Sequence, residues 1–414
     1  MIVIVSCQHF PDDERIYHRQ IKTLLKQDIS IRYFTRSEST QDLSEPGLRH
    51  FNLSLKLSIK SYSKQILRQL RVSKAPLFFH IHEPELLPLA KSVKQELRPT
   101  IIYDVHENLD AMYRTFSQRS KPIKKTMIFL KNTNEKMHLK FIDRVILANQ
   151  PLESTVYNTR NFQPVILENF PESKYISNIG NDGNRGSSII YHGHLAPERG
   201  IGDLVAALPT VISEIPDVYL TLLGTFRTSE YEKQIKRFIS KNNLYDHVSV
   251  KAQIPYGDIW EILNKQALGI IPFRDNPLTR SNTPTKLFEM MAAGCRIVVS
   301  DLPPIRNFVS DTVHWTTPGD IPSIAEGILE AFRSLNQSAW IEKNRNLIRK
   351  KYNWESKINE FLKLYNPQCE YFIYHLKTLL VHCHYGKKSM KLTATNVARS
   401  HFSDPRKILK RISV

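Results

Sequence analysis

Residues 281–301 read Ser281-Asn-Thr-Pro-Thr-Lys-Leu-Phe-Glu-Met-Met-Ala-Ala-Gly-Cys-Arg-Ile-Val-Val-Ser-Asp301. The stretch predicts a loop, a helix and a strand in close succession. Pro284 suits the first helical turn, where its missing N–H is no loss. Leu287, Met290 and Met291 recur at helical spacing, and Gly294 is a natural stop. Cys295 to Ser300 is a short apolar run of the kind that forms a buried strand. At the helix start, Thr283 and Thr285 offer hydroxyls beside free backbone N–H groups, and Lys286 adds a cation. Such a terminus attracts anions, phosphate above all. Glu289 lies about one turn beyond Lys286, so both can face one ligand. A carboxylate is only an acceptor and would repel phosphate, so sugar hydroxyls are its better partner. An ordinary βα unit with a surface ion pair is the plainer alternative.

The run Pro284-Thr-Lys-Leu-Phe-Glu-Met-Met-Ala-Ala-Gly followed by Ile-Val-Val-Ser-Asp-Leu-Pro resembles the nucleotide-sugar site of glycosyltransferase family 4. That family has the GT-B fold, two doubly wound parallel-sheet (Rossmann-like) α/β domains facing a cleft. The resemblance implies that Glu289 holds the ribose of a nucleoside-diphosphate sugar. The family often carries a second glutamate eight positions earlier, against the donor sugar; Ser281 stands there in this chain.

The rest of the chain fits two domains. It has 414 residues, 41% of them hydrophobic, enough for two real cores. A net charge of +18 points to anionic partners. Cys7, Cys295, Cys369 and Cys383 are far apart, which argues against a disulfide framework and for a reducing cytosol. Met1-Ile-Val-Ile-Val-Ser lacks the basic start of a secretory leader. No apolar run reaches the roughly 20 residues that span a bilayer.

Ile2 to Val5 reads as an opening strand, followed by a polar loop and a helix. This is the first unit of a doubly wound sheet, whose ligands sit beyond the strand C-termini. No G-x-G-x-x-G occurs, so a dinucleotide reading loses its main support. His9-Phe-Pro-Asp-Asp-Glu-Arg-Ile16 resembles the family's first acceptor-side loop, which implicates Asp13 and Arg15; a plain N-cap cluster is the alternative. His80-Ile-His-Glu83 and Tyr103-Asp-Val-His106 end two further strands and resemble family motifs. The resemblance places His82 and Glu83 on the acceptor side and His106 near the donor sugar. Buried core histidines are the competing reading. The family gives no reason to expect a catalytic metal or a cofactor.

Residues 54–74 and 119–140 are basic, with interleaved apolar residues. Both read as amphipathic helices suited to an anionic membrane face or an acidic acceptor, or as solvated faces. Residues 173–187 are rich in Gly, Asn and Ser and read as a hinge. The second half restarts at Ser188 with a strand and the loop Gly193-His-Leu-Ala-Pro-Glu-Arg-Gly200. The resemblance makes this the diphosphate loop, with His194 at the family's Arg position and Arg199 at its Lys position. Gly224 ends the next strand, as in the family. Residues 321–335 and 340–365 read as helices, and the resemblance implies that the last packs back on the first domain.

The expected organisation is therefore an acceptor domain at 1–172, a hinge at 173–187 and a donor domain at 188–351. A returning helix at about 352–365 and a basic extension at 366–414 follow. Cys369, His375, His382, Cys383 and His384 fit no regular zinc template, and a basic tail on a membrane surface is the better reading. The expected function is that of a retaining glycosyltransferase using a nucleoside-diphosphate sugar and a polysaccharide or lipid-linked saccharide acceptor. His106, Arg199 and Lys286 would be its catalytic residues. Gly193, His194, Gly224, Ser281, Thr283, Leu287 and Glu289 would complete the donor site. The expected setting is cytoplasmic, with peripheral attachment to the inner face of the plasma membrane. A non-catalytic nucleotide-sugar binder, an epimerase and a nucleic-acid-binding protein are the alternatives. The last rests on charge alone, because recognition motifs are absent.

Overall fold

The computed structural model describes residues 1–39, 43–106, 108–149, 157, 163–176, 185–334 and 337–366. Met1–Tyr365 form one compact unit. The proposed hinge lies partly outside the described residues, and 367–414, including Cys369, His375, His382, Cys383 and His384, lie wholly outside them.

Two parallel sheets organise this unit. The first contains β1 (Ile2–Val5), β2 (Ile31–Arg36), β3 (Leu48–Leu53), β4 (Phe78–Ile81), β5 (Thr100–Val105), β6 (Arg144–Leu147) and β7 (Val165–Ile166). Their order is β3-β2-β1-β4-β5-β6-β7. The second contains β8 (Ser188–His192), β9 (Tyr219–Leu223), β10 (Val248–Lys251), β11 (Leu268–Ile271), β12 (Arg296–Ser300) and β13 (His314–Thr316), in the order β10-β9-β8-β11-β12-β13. Each sheet reverses direction of winding beside its first strand. The switch points β1/β4 and β8/β11 are where doubly wound sheets open a crevice for ligand.

Strand periodicity explains the layers. Val3 and Val5 of β1 enter one core with Phe79, Ile81 and Tyr62. Ile2 and Ile4 enter the opposite core with Ile16, Ile21, Trp354 and Phe361. Successive side chains thus feed opposite faces, and both faces are covered, as a parallel sheet requires. Full burial of one such side chain stabilises the fold by about 1.5–3 kcal/mol.

Trp354, Phe361, Leu364 and Tyr365 therefore seal the first sheet although they follow the second in sequence. Trp354 Nε1 donates to Thr23 Oγ1 at 2.9 Å, and His80 Nδ1 and the Tyr365 hydroxyl are 2.6 Å apart. The expected single helix over 340–365 is two, Gln337–Lys350 and Glu355–Lys363. Asn353 makes the break. Its amide donates to the Ile348 and Arg349 carbonyls, and its side-chain oxygen accepts from Ser356 N, so it caps both helices. Leu48–Leu53 is a strand that the sequence reading passes over. It is an edge strand, half-exposed along its length, so it lacks a solid apolar run.

Candidate active site

The crevice lies beyond the C-terminal ends of β1, β4 and β5 on one side and of β8 and β11 on the other. On the second-sheet side, β8 ends at His192 and passes into Gly193, whose φ is +105°. A Cβ on Gly224 would stand 1.9 Å from Gly193 O, so the turns after β8 and β9 pack backbone to backbone. No side chain fits between them. Lys286 reaches over this pair from the first turn of the helix Thr285–Ala292, and a Cβ on Gly193 would be 3.1 Å from its Nζ.

Arg199 meets Lys286 here. Lys286 Nζ lies 5.1 Å from the centroid of the Phe273 ring and 4.7 Å from that of Tyr191, while Arg199 Cζ lies 4.6 Å from Phe273. Neither cation forms an ion pair with a carboxylate among the described residues. Burial, then the charge of Arg199, lowers the Lys286 amine to about 7. The structure thus gathers two cations at a helix N-terminus, a place that suits a diphosphate. His194 lies on the same turn and keeps contact with solvent, yet partial desolvation in the crevice and the charges of Lys286, Arg227 and Arg199 lower its pKa, so it stands there as a neutral imidazole.

Glu289 is buried one turn along the helix, with Oε2 3.5 Å from His192 Nε2. Burial and the neighbouring Glu14 carboxylate push its pKa above the usual carboxylate range. Thr283 N donates to Asn149 Oδ1 at 2.9 Å, joining the two sides of the crevice. The Ser281 hydroxyl donates to Leu278 O at 3.1 Å. Leu287 does not offer what its place in the donor set requires. Its side chain is in the core and its N–H donates to Pro284 O at 3.1 Å, because it sits on the inner face of the helix.

The first-sheet side departs from an open acceptor loop. Asp13 is an N-cap: its side chain accepts from Arg15 N and Ile16 N at the start of the π-helical stretch Glu14–Ile21. Arg15 is buried and grips Asp104 through two nitrogens, at 3.0 and 2.9 Å, and also donates to Leu167 O. It is a tie beneath the crevice floor and not a group presented to ligand. Glu83 is likewise turned inward. It accepts from Ser6 Oγ at 2.6 Å, Cys7 N at 3.0 Å, Gln8 N at 3.2 Å and His9 Nδ1 at 2.7 Å, and so fixes the loop after β1. Burial would raise its pKa, but the His9 contact and the Ser6 hydroxyl outweigh burial and lower it. The same contact, working against burial, raises the His9 pKa to about 9.

His9 is a residue the sequence reading did not single out. Its Nε2 lies 3.0 Å from His106 Nδ1, and His106 Nε2 lies 3.0 Å from His82 Nδ1. Glu83, His9, His106 and His82 thus form one hydrogen-bonded row. His9 and His106 keep some exposure, while His82 is buried and, through burial, has its pKa lowered well below 6.5. His80, His82 and Asp104 also bring ligand-type atoms within 4.8 Å of one another. They suit a cation poorly, because Asp104 is already bound by Arg15 and accepts from Gln20 Nε2 at 2.6 Å. Arg227 is a further cation that the motif reading missed. It donates to Glu198 at 2.7 Å and stacks 4.2 Å over the Phe116 ring.

Comparison with known proteins follows the same lines. Residues 177–354 match the family model described as "Glycosyl transferases group 1". No curated protein sequence matches the chain. Among solved structures, sucrose-phosphate synthase from Thermosynechococcus elongatus is similar with a TM-score of 0.70 at 18% identity, covering 88% of this chain and 98% of that one. Anabaena HepE in complex with UDP and glucose gives 0.68 at 14% identity, covering 87% and 98%. An E. coli trehalose-6-phosphate protein bound with UDP-2-fluoro glucose gives 0.61 at 13% identity, also covering 87% and 98%. At these identities the likeness to solved structures speaks for the fold. The chain thus has the GT-B fold of these structures, and its residues 177–354 match the glycosyl transferases group 1 model.

Proposed function

We propose that this protein is a retaining glycosyltransferase that moves a sugar from a nucleoside-diphosphate sugar to a polysaccharide or lipid-linked saccharide. The carrying observation is the meeting of Arg199 and Lys286 over Phe273, one helical turn from Glu289. Two unpaired cations beside a buried carboxylate match a diphosphate joined to a ribose. UDP in HepE and UDP-2-fluoro glucose in the E. coli protein make a uridine nucleotide the first donor to test.

The reaction needs negative charge stabilised on the departing diphosphate, and Arg199 and Lys286 stand where it would develop. The bond from the sugar carbon to the diphosphate oxygen breaks. A bond to the acceptor oxygen forms on the same face, and the acceptor's proton passes to the departing phosphate oxygen. No protein nucleophile is required. His106, held between His9 and His82, would face the sugar. We assign the acceptor to the lobe at 1–172 and the donor to the lobe at 188–351, with 173–187 as the hinge and the helix at 352–365 returning to the first lobe. Closure would exclude water and favour transfer over hydrolysis.

The helix Lys121–Leu139 supports a place on an anionic membrane. Ile123, Met127, Phe129, Leu130 and Met137 are exposed on it among Lys121, Lys124, Lys125, Lys131 and Lys136. No helix among the described residues is long and apolar enough to cross a membrane. The function is tested by incubating the purified protein with UDP-sugars and oligosaccharide or lipid-linked acceptors. Anomer-retaining transfer supports the reading; tight nucleotide binding without transfer or donor hydrolysis rejects catalysis.

A further inference from the structure

We propose that Arg19, carried by the first lobe, is a positioning residue for the donor site of the second: it fixes the Tyr256 hydroxyl, which orients the Glu289 carboxylate toward the nucleotide's ribose. This rests on the reading of Glu289 as the ribose acceptor.

Arg19 is 1% exposed, on the π-helical stretch that begins at Glu14. Widened turns of this kind often occur at functional sites. Its guanidinium has no close carboxylate. The nearest is Glu14, at 3.9 Å. One terminal nitrogen donates to the Asn169 side-chain oxygen, the other donates to the Tyr256 hydroxyl at 2.7 Å, and Nε has no partner. A buried cation with neutral partners is costly to a fold. The carboxylates that offset it are Glu14, Glu289 from the opposite lobe, and Glu172.

Tyr256 joins these groups. It follows β10, and its ring is held edge-on by Trp260 at 5.9 Å and Tyr175 at 5.8 Å, which stack on each other at 4.4 Å. Its oxygen accepts from Arg19, so its own hydrogen remains to donate. Glu289 lies beside it, and the Tyr256 contact favours the ionised carboxylate. The same carboxylate is faced by Glu14 across the crevice, by Lys286 on its own helix and by His192 at the end of β8. Glu14 opposes ionisation, while Arg19, Lys286 and Tyr256 favour it. His192 is held neutral, its pKa lowered by burial and by Lys286 to about 3. A contact 237 residues apart in sequence thus ties approach of the lobes to readiness of the acceptor carboxylate. The catalytic cations are not in this row. Its loss should therefore weaken the nucleotide more than it slows bound substrate.

The test is titration calorimetry with UDP and GDP across pH 6–9. It uses the full chain as wild type, Arg19→Met, Tyr256→Phe, Glu289→Gln and the Arg19→Met/Glu289→Gln double variant. Tyr256→Phe keeps the ring packing and removes only the hydroxyl, so it serves even if Arg19→Met folds poorly. Expected are Kd increases of about tenfold for each single variant, the size of a lost hydrogen bond to a charged group. The pH at which affinity rises should move upward in Arg19→Met and Tyr256→Phe, and Arg19→Met should add nothing in the Glu289→Gln background. A merely structural tie would not move that pH. Glu289→Gln binding as tightly as wild type would overturn the ribose reading itself. Weak binding by Glu289→Gln, with Arg19→Met and Tyr256→Phe unshifted in pH dependence or Arg19→Met additive with Glu289→Gln, would overturn this inference alone.

Discussion

Lys286 and Arg199 share one aromatic ring: the amine and the guanidinium stand 5.1 and 4.6 Å from the centroid of Phe273. Like charges in a buried place oppose each other, and the Lys286 amine accordingly sits near 7. A diphosphate arriving between them would relieve both the burial and the repulsion.

Donor affinity should therefore follow a bell in pH. Lys286, at about 7, must gain a proton to bind a diphosphate, and Glu289, at about 8, must lose one to accept from ribose. Below pH 7 the amine is already charged, so binding releases the Glu289 proton and tightens as pH rises. Above pH 8 the carboxylate is already ionised, so binding takes up a proton at Lys286 and weakens as pH rises. Calorimetry of a nucleoside-diphosphate sugar in buffers of different ionisation heat should show net release turning to net uptake between these values. Lys286→Met should lose the alkaline limb and Glu289→Gln the acid limb. A flat profile would contradict the assignment.

Removing either cation should cut transfer more than binding of the acceptor. Arg199→Ala and Lys286→Ala are each expected to lower kcat/KM for the donor by about 10²–10³, the scale for one lost group that stabilises transition-state charge. Steady-state kinetics at saturating acceptor measure this, and wild-type turnover in either variant would remove that residue from the mechanism.

The Arg15–Asp104 pair should govern stability. Burial pushes the Asp104 carboxyl up, but Arg15, with His106 and His82, holds it well below the usual range. Its contribution is present above the unfolded value of about 3.9 and is lost as pH falls through the lower folded value. Arg15→Met strands the buried carboxylate and should cost about 3–5 kcal/mol in urea unfolding at pH 7. A loss below about 1 kcal/mol, the range of exposed ion pairs, would mean that the pair is not buried in solution.

His9 should impose the opposite slope. Its pKa, raised to about 9 by Glu83 despite burial, makes its stabilisation complete below about 6.5 and lost as pH rises through 9. The urea midpoint should fall between pH 7 and 10, and His9→Ala should flatten that fall. An unchanged slope in the variant would show that Glu83 holds the loop without it.

Gly224→Ala probes the backbone floor of the site. Gly224 has φ +152°, and the added Cβ would fall 1.9 Å from Gly193 O. The two turns must separate, moving Gly193 from beneath Lys286. Donor KM should rise at least tenfold, a misplacement effect; unchanged kinetics would show that the turns are free to part.

Much of the fold was legible because its signals are local. Apolar runs ending in polar or glycine-containing loops announced both parallel sheets, and Pro284 and Gly294 bracketed the helix that carries Lys286 and Glu289. The half-exposed edge strand Leu48–Leu53 and the Asn353 break carry weaker local marks. Spacing and resemblance singled out Arg199, Lys286 and Glu289, which the structure places in one crevice. Residue type alone could not tell whether Arg15 and Glu83 face ligand or each hold a buried partner. That depends on Asp104, 89 positions from Arg15, and on the loop after β1, some 75 positions before Glu83. Arg19 and Tyr256 carry no motif and meet only after both lobes have formed.

The central claim is a nucleoside-diphosphate site made by Arg199, Lys286 and Glu289, and calorimetric titration of UDP and GDP tests it most directly. The account predicts one-to-one binding of one of them by the wild-type protein. Affinity should fall at least tenfold in Arg199→Ala, Lys286→Ala and Glu289→Gln, with melting temperatures preserved. Binding of neither nucleotide, or binding undiminished in all three variants, would contradict it.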